Sequence, residues 1–263
     1  MIELTNYFAR DKKGGTIMCD IFAISAGYNY TPQKYLPVFA EKGKENMNGW
    51  GIGFFREDKA LVEKSSEKVF TQDQVHESFQ RLARVIDSRI IISHVNCPKS
   101  GGRHSSQLHP FKLTFLDHDW LFAQVGIVEN IHEYQTNGTS RMEVDVYSAR
   151  IFEYLRDQLV SLNQKNPYIS VYIGLRIAIQ KLLEDYPGDY SFFLANESFL
   201  FAFCNFRQLM VLKESESMGD ILLITSLRER LIRTDWHPIT PDPQSKGELL
   251  VIAGPDVLYA GDV

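Results

Sequence analysis

The residues best suited to chemistry in this chain are Met18 and Cys19, a cysteine that directly follows a methionine. If translation starts at Met18, removal of that methionine leaves Cys19 as the N-terminal residue. A terminal cysteine carries a nucleophilic thiolate and an α-amine that titrates at about 8 and can act as the adjacent base. We therefore predict that Cys19 is a catalytic nucleophile. The structural alternative is a small, buried, unreactive residue at the head of a strand.

Further motifs follow this cysteine in a fixed order. They are Asn48-Gly49-Trp50-Gly51-Ile52-Gly53-Phe54, Ile91-Ile92-Ser93-His94-Val95, His109-Pro110-Phe111 and Phe122-Ala123-Gln124-Val125-Gly126. In this order and at these separations, the chain resembles the class II glutamine amidotransferases. These are N-terminal-nucleophile hydrolases whose stand-alone members read M-C, D-G-W-G-I-G, A-H-V-R-x-A-T, H-P-F and F-A-H-N-G. The resemblance covers most of the chain from Met18 onward, and Cys19 and the Trp-Gly-Ile-Gly run are its specific parts.

The resemblance implies hydrolysis of the side-chain amide of glutamine through a γ-glutamyl thioester on the cysteine. In the family, an arginine and a threonine hold the substrate carboxylate, and a later acidic residue pairs with its α-amine. An asparagine and the glycine after it form the oxyanion hole. This arrangement is chemically coherent, because a zwitterion needs one cationic and one anionic contact and an oxyanion needs preorganised donors.

Several positions of this chain match that set. Cys19 matches the nucleophile and Gly126 the oxyanion-hole glycine. Trp50 and Gly51 lie in the glycine-rich motif and are substrate-binding candidates. Asp145 matches the amine-binding acid, and a helix cap is its equally plausible alternative role.

Other positions depart from the family pattern. The arginine position falls on Asn96, the threonine position on Lys99 and the oxyanion-hole asparagine on Val125. Asn96 cannot supply the charged, bidentate grip of a guanidinium. Lys99 or Arg103 could place a positive charge nearby, or be a solvated loop cation.

Two functions follow from this mixture of matches and departures. The first is an amidohydrolase that acts on glutamine or another γ-glutamyl amide, which the intact Cys19 favours. The second is a catalytically impaired descendant that serves as a binding or regulatory subunit, which Asn96 and Val125 favour. Stand-alone family members can also pass ammonia to a separate synthase, and no residue pattern here identifies one. The reaction implied by the resemblance uses no cofactor and no metal.

The composition limits the class of protein. The chain has 263 residues, 44% of them hydrophobic and 23% charged, which is typical of a globular protein with a sizeable core. Its formal charge of −5 and scattered basic residues argue against nucleic-acid binding.

No apolar run is long enough to cross a bilayer, and the start lacks a secretory signal, so we expect a cytoplasmic location. The three cysteines have no paired spacing that would indicate disulfides or a zinc site.

The pattern of elements predicts the fold that must position these residues. Apolar runs predict strands at 20–26, 49–55, 60–62, 89–95 and 120–126. Helical spacing predicts a short helix at 32–40, a helix at 71–86 capped by Thr71, and two long helices at 145–162 and 171–182. Five short strands follow, at 190–195, 199–203, 208–212, 220–225 and 248–253. This order favours an α+β, four-layer αββα sandwich of two antiparallel sheets flanked by helices, as in N-terminal-nucleophile hydrolases.

We interpret residues 1–17 as separate from a single domain that spans 18–263. The segment is polar, contains Gly14 and Gly15, and has neither helical nor strand periodicity. One hypothesis is that the native start is Met18 and that residues 1–17 come from an overextended gene prediction. The other is a genuine propeptide that is cut between Met18 and Cys19.

Overall fold

The computed structural model describes residues 9–10, 16–17, 19–42, 49–95, 105–136, 142, 146–206, 208–226, 235–239 and 245–263. In chain order the strands are β1 (Ala9–Arg10), β2 (Thr16–Ile17), β3 (Asp20–Tyr30), β4 (Trp50–Arg56), β5 (Lys59–Ser65), β6 (Phe70–Thr71), β7 (Gln74–Val75), β8 (Ser88–Val95), β9 (Phe111–Phe115), β10 (His118–Val125), β11 (Ser191–Ala195), β12 (Leu200–Cys204), β13 (Met210–Glu216), β14 (Gly219–Thr225), β15 (His237–Pro238), β16 (Glu248–Ala253) and β17 (Asp256–Asp262). The α-helices are α1 (Tyr35–Lys42), α2 (Glu77–Val85), α3 (Tyr147–Lys165) and α4 (Val171–Asp185), and short 3-10 helices cover Ser105–Gln107 and Glu129–Glu133.

The strands build two large antiparallel sheets. The first has seven strands in the order β15-β13-β14-β3-β8-β4-β5, and the second has six in the order β17-β16-β12-β11-β10-β9. The pairs β1-β2 and β6-β7 form small separate hairpins. The first sheet places β3, which begins next to Cys19, at its centre between β14 and β8.

The sheets stack face to face, and alternation along each strand decides what each side chain contacts. On β3, Ile21 and Ala23 face the second sheet, whereas Phe22 and Ile24 face α1 and α2. On β10 the residues from Leu121 to Val125 alternate in the same way, with Phe122 packed against α3 and α4. The resulting order of helices, sheet, sheet and helices confirms the predicted αββα sandwich.

The helix predicted at 71–86 begins later than its sequence suggests. Thr71 belongs to β6, so the prediction that it caps the helix is wrong. The N-cap is His76, whose Nδ1 accepts a hydrogen bond from the Ser78 amide at 3.2 Å. A short hairpin therefore occupies the residues in which we expected the first helical turns.

Among the described residues, no helix combines the length and the apolar character needed to cross a bilayer.

Candidate functional site

Cys19 lies directly before β3, at the mouth of the space between the two sheets. It is half-buried and forms no disulfide with the other described cysteine, Cys204. It packs against the inter-sheet core, to which Val125 also belongs. The residue is therefore neither deep in the core nor fully exposed.

The register of the first sheet shows which residues share this end. Asp20 pairs with Val95, and Val95 pairs with Trp50. The start of β3, the end of β8 and the start of β4 therefore lie side by side. One step further into the sheet, a row of cross-strand partners runs through Ile21, His94, Gly51 and Lys64.

The two predicted residues of the glycine-rich motif point in different directions. The Trp50 indole packs on the helix side of the sheet, 5.1 Å from the Phe79 ring, and is 2% exposed. A contact between Trp50 and a substrate would therefore fall to its backbone. At Gly51, an added Cβ would lie 2.0 Å from the carbonyl oxygen of His109, so a neighbouring backbone requires the glycine.

Contacts across the sandwich show that Gly126 lies at the same end as Cys19. An added Cβ at Gly53 would lie 3.0 Å from Leu121 on β10, whereas Gly51, nearer the mouth, faces His109. β9 runs antiparallel to β10, and its first residue, Phe111, pairs with Phe122. His109 lies two residues before Phe111, so it lies next to the part of β10 that follows Phe122, near the end of that strand. β10 packs across β3 and β8. The end of β10 and the start of β3 therefore open at one mouth.

Gly126 has a backbone conformation that suits only glycine. Its φ is +127°, and an added Cβ would lie 2.0 Å from the carbonyl oxygen of Asp189. The Asp189 amide donates to the Ile127 carbonyl at 2.9 Å, which holds the two chain segments together. The main chain at Gly126 is thus held against Asp189, in the segment that precedes β11.

The residues before Gly126 place their side chains on opposite faces of β10. Val125 is part of the inter-sheet core, against which the Cys19 side chain packs. The Gln124 Oε1 accepts a hydrogen bond from the Ser148 hydroxyl on α3 at 2.8 Å. The Gln124 amide therefore faces the helices and cannot replace the donor that asparagine would supply at position 125.

A buried hydrogen-bond network fixes the start of β3, and sequence reasoning missed it. The Ile21 amide donates to the Ser226 Oγ at 3.0 Å, and the Ser226 hydroxyl donates to the Asp20 carboxylate at 3.3 Å. The Thr225 hydroxyl donates to the Ile21 carbonyl at 3.1 Å. These contacts hold the backbone that presents Cys19, and no local sequence signal marks them.

Two histidine rings, tilted by 46° to each other, lie in contact beside this network. The rings of His94 and His109 are 4.3 Å apart, and His94 is 1% exposed. Within the described part of the chain, neither ring nitrogen of His94 has a hydrogen-bond partner. His94 shares the face of β8 with Ile90 and Ile92, so its polar atoms face the inter-sheet space.

Lys64 is the cation of the same row. Its Nζ lies 4.9 Å from the centre of the Phe111 ring, and no described carboxylate pairs with it. Burial lowers the pKa of the Lys64 ammonium to about 8. Sequence reasoning placed the candidate cations on the loop that follows β8 and did not single out Lys64.

Three predicted site residues, Asn96, Lys99 and Asp145, lie outside the described residues, as does Arg103. Helix α3 begins at Tyr147 with Val146 at its N-cap position. Nearby, the Met142 amide donates to Glu153 at 2.6 Å, and Glu153 pairs with Arg150 at 2.9 Å. No described group of histidine, cysteine and carboxylate side chains forms a metal site.

A match to a protein-family sequence model identifies the family of the chain. The sequence model of the family described as "Glutamine amidotransferases class-II" matches residues 18–223. The chain belongs to the class II glutamine amidotransferases. This confirms the family that the motifs of the sequence indicated.

Individual relatives agree with the family and with the fold. An uncharacterised protein of Methanocaldococcus jannaschii is 24% identical over 266 residues, which cover 92% of this chain and 71% of that protein. A predicted glutamine amidotransferase of Pseudomonas aeruginosa superposes with a TM-score of 0.63 at 18% identity, covering 92% of this chain and all of that one. The glutamine phosphoribosylpyrophosphate amidotransferase of B. subtilis gives 0.63 at 12% identity, covering 93% of this chain and 49% of that enzyme. These structures show that this class II amidotransferase has the fold of its family.

Proposed function

We propose that this class II amidotransferase hydrolyses the side-chain amide of glutamine or of another γ-glutamyl compound, with Cys19 as the nucleophile. The observation that carries the proposal is the position of Cys19, half-buried at the mouth into which the end of β10 also opens. A buried cysteine elsewhere provides the contrast. Cys204 is 1% exposed, and burial raises the pKa of its thiol to about 11, so it is a poor nucleophile.

The reaction requires that Cys19 carry a free α-amine. That amine takes the thiol proton, the sulfur attacks the amide carbon, and the carbonyl electrons move onto oxygen. Collapse of this intermediate breaks the carbon–nitrogen bond, and the ammonium of Cys19 returns the proton to the leaving ammonia. Water then cleaves the thioester, which yields glutamate and restores the thiol.

The backbone of Gly126 supplies the contact for the oxyanion in this proposal. Its amide belongs to a bend against which Asp189 packs closely, and the Asp189 amide donates to the adjacent Ile127 carbonyl. Preorganised donors of this kind contribute most when they need no rearrangement during the reaction. Asn96, Lys99 and Asp145 remain the sequence candidates for binding the two ends of the substrate.

The test is ammonia release from a panel of γ-glutamyl compounds, using protein that begins at Cys19. We expect release from at least one compound and none from the Cys19→Ala variant. Equal release by both proteins would contradict the role of Cys19. The mass of the protein from its native host tests the start: a chain that retains Met1 leaves Cys19 without the required amine.

A binding or regulatory subunit is the second candidate, and Val125 is the observation that favours it. Loss of one oxyanion-hole donor lowers the rate by about 10²–10³. A protein of this kind would bind a γ-glutamyl ligand at the mouth of the sandwich without releasing ammonia. Binding of glutamine by calorimetry, together with no ammonia release from any compound of the panel, would support this function over the first.

A further inference from the structure

The His94 imidazole is a buried polar group that the proposed reaction does not use. Its side chain is 1% exposed, and within the described residues neither ring nitrogen has a hydrogen-bond partner. A neutral imidazole presents one N–H donor and one acceptor nitrogen, whichever tautomer it adopts. Because buried polar groups without a partner are unfavourable and rare in native proteins, a functional partner would explain why this ring lies in the core.

The register of β3 and β8 places His94 next to Cys19. His94 pairs with Ile21, and Val95 pairs with Asp20. Cys19 is therefore the next position after Ile21 toward the mouth on the same face of the sheet, and its side chain packs against the inter-sheet core to which Ile21 belongs. Cys19 and His94 are thus diagonal neighbours on one face, a separation that an aromatic ring can span.

The strands bring one polar side-chain atom to the His94 ring, the sulfur of Cys19. The other described neighbours of His94 on this face of the sheet are apolar or have no side chain: Ile21, Ala23, Ile92, Gly51 and Gly53. From the second sheet, the His109 ring contacts the His94 ring at 4.3 Å without a hydrogen bond to either His94 nitrogen. The arrangement therefore joins a nucleophilic sulfur and an imidazole at the mouth of the sandwich.

Five other titratable side chains lie on the elements packed around this pair: Asp20, Lys64, His109, Asp189 and Glu248. The Asp20 carboxylate belongs to the opposite face of β3 and accepts a hydrogen bond from the Ser226 hydroxyl at 3.3 Å. Burial raises the pKa of the Asp189 and Glu248 carboxyl groups, so both oppose a charged sulfur less than ordinary carboxylates would. None of the five hydrogen-bonds to a His94 ring nitrogen.

We propose that His94 is the partner of the Cys19 sulfur, and that a ring N–H donates a hydrogen bond to the thiolate once the Cys19 side chain rotates toward it. The pairing rests on the proposed function in taking Cys19 as the nucleophile. The α-amine of Cys19 still receives the thiol proton, and His94 keeps its own, so the proton balance of the reaction is unchanged. A hydrogen bond to the anion favours the charged form of the thiol and raises the thiolate fraction near neutral pH.

The test is the pH dependence of alkylation of Cys19 by iodoacetamide, in protein that begins at Cys19, with peptide mapping to separate it from Cys97 and Cys204. His94→Phe keeps a flat, buried ring and removes the donor. We expect the pH of half-maximal alkylation rate to rise by about 1–2 units in this variant. His94→Asn and His94→Gln place an amide N–H near the positions of the two ring nitrogens, and we expect at least one of them to reverse most of the shift.

The control is His118→Phe, at the opposite end of β10, where the His118 ring pairs with Glu197. This variant should leave the pH of half-maximal alkylation unchanged. Urea unfolding checks the fold of each protein. We expect His94→Phe to be at least as stable as the unsubstituted protein, because it replaces unpaired polar atoms by an apolar ring. If His94→Phe does not fold, His94→Leu, which also lacks a donor, takes its place in the comparison.

The outcomes separate the pairing from the proposed function, because alkylation needs no substrate. An unchanged pH of half-maximal alkylation in His94→Phe overturns the pairing, even if the unsubstituted protein releases ammonia. A shift that neither amide variant reverses also overturns it, because the effect is then one of packing and not of a hydrogen bond. The expected shift and its reversal, found in a protein that releases no ammonia, would support the pairing and contradict the proposed function alone.

Discussion

The Ser226 hydroxyl oxygen accepts a hydrogen bond from the Ile21 amide at 3.0 Å, although 205 residues separate the two in sequence. The Ser226 amide returns a hydrogen bond to the Ile21 carbonyl at 3.0 Å. Ser226 is fully buried, and its hydroxyl also donates to Asp20. One serine therefore holds Asp20 and Ile21, the two residues that follow Cys19, and so positions the backbone from which the Cys19 side chain projects.

Replacement of Ser226 by alanine tests this relationship. The change leaves the buried Ile21 amide without its side-chain acceptor and removes one donor to Asp20, which should lower the free energy of unfolding by about 1–3 kcal/mol. Urea unfolding measures the loss. Ser215→Ala is the control, because Ser215 is exposed and its hydroxyl donates to Asp220 at the surface. Equal losses in the two variants would show that the Ser226 contacts do not stabilise the start of β3.

Replacement of Gly126 by alanine tests the bend at the end of β10, where Gly126 has a positive φ. A φ of +127° disfavours any other residue, and the new methyl group would lie 2.0 Å from the Asp189 carbonyl oxygen. We expect a loss of at least about 1–3 kcal/mol in unfolding free energy, and lower ammonia release because the backbone must shift. Thermal unfolding and the ammonia assay measure the two effects. At Gly27 the nearest described atom to the added methyl would be on Pro255, at 3.7 Å, so Gly27→Ala should change neither.

Because burial lowers the pKa of Lys64, the free energy of unfolding should increase as the pH rises through the range in which Lys64 loses its proton. Its ammonium has a pKa of about 8 in the folded chain against 10.5 when unperturbed. Between these values the unfolded chain binds more protons, so its stability should rise as the pH rises from about 8 to 10.5. Below about pH 8 the folded state bears the full cost of the buried charge.

The Lys64→Met variant removes that cost. At pH 7 we expect it to be more stable by about 1–3 kcal/mol, reduced by the loss of the attraction between the ammonium and the Phe111 ring. The gain should fade as the pH approaches 10.5 and disappear above it, where the Lys64 amine is neutral in the folded chain and loses its proton in the unfolded chain as well. Urea unfolding across this range is the measurement, and Lys59→Met, at a side chain that is 72% exposed, is the control. A Lys64→Met variant that is less stable at pH 7 would contradict the account.

Local patterns in the sequence were sufficient for most of the fold. The buried run after Cys19, the glycine-rich strand and the two long helices each carry a clear periodicity, because each buries at least one continuous face. The strand Asp256–Asp262 escaped prediction since it lies at the edge of its sheet, and most of its residues are exposed. The helix start at Thr71 was predicted wrongly because a capping residue is only a weak signal when a hairpin competes for the same residues.

The residues of the candidate site also fall into those that the sequence could predict and those that it could not. Cys19 and Gly126 could be predicted because their residue types and order belong to a family pattern. Ser226, Asp189 and Lys64 could not, because their position depends on the register of strands that are distant in sequence. Register follows from the packing of whole sheets, which no single stretch of sequence contains.

The most direct test of Cys19 as the nucleophile is its modification by a glutamine-mimicking electrophile, in protein that begins at Cys19, followed by intact mass and peptide mapping. We expect one adduct, on Cys19, which excess glutamine or the preferred γ-glutamyl compound prevents, and none on the buried Cys204. Absence of an adduct on Cys19, or an adduct that forms equally fast with these compounds present, would contradict the account.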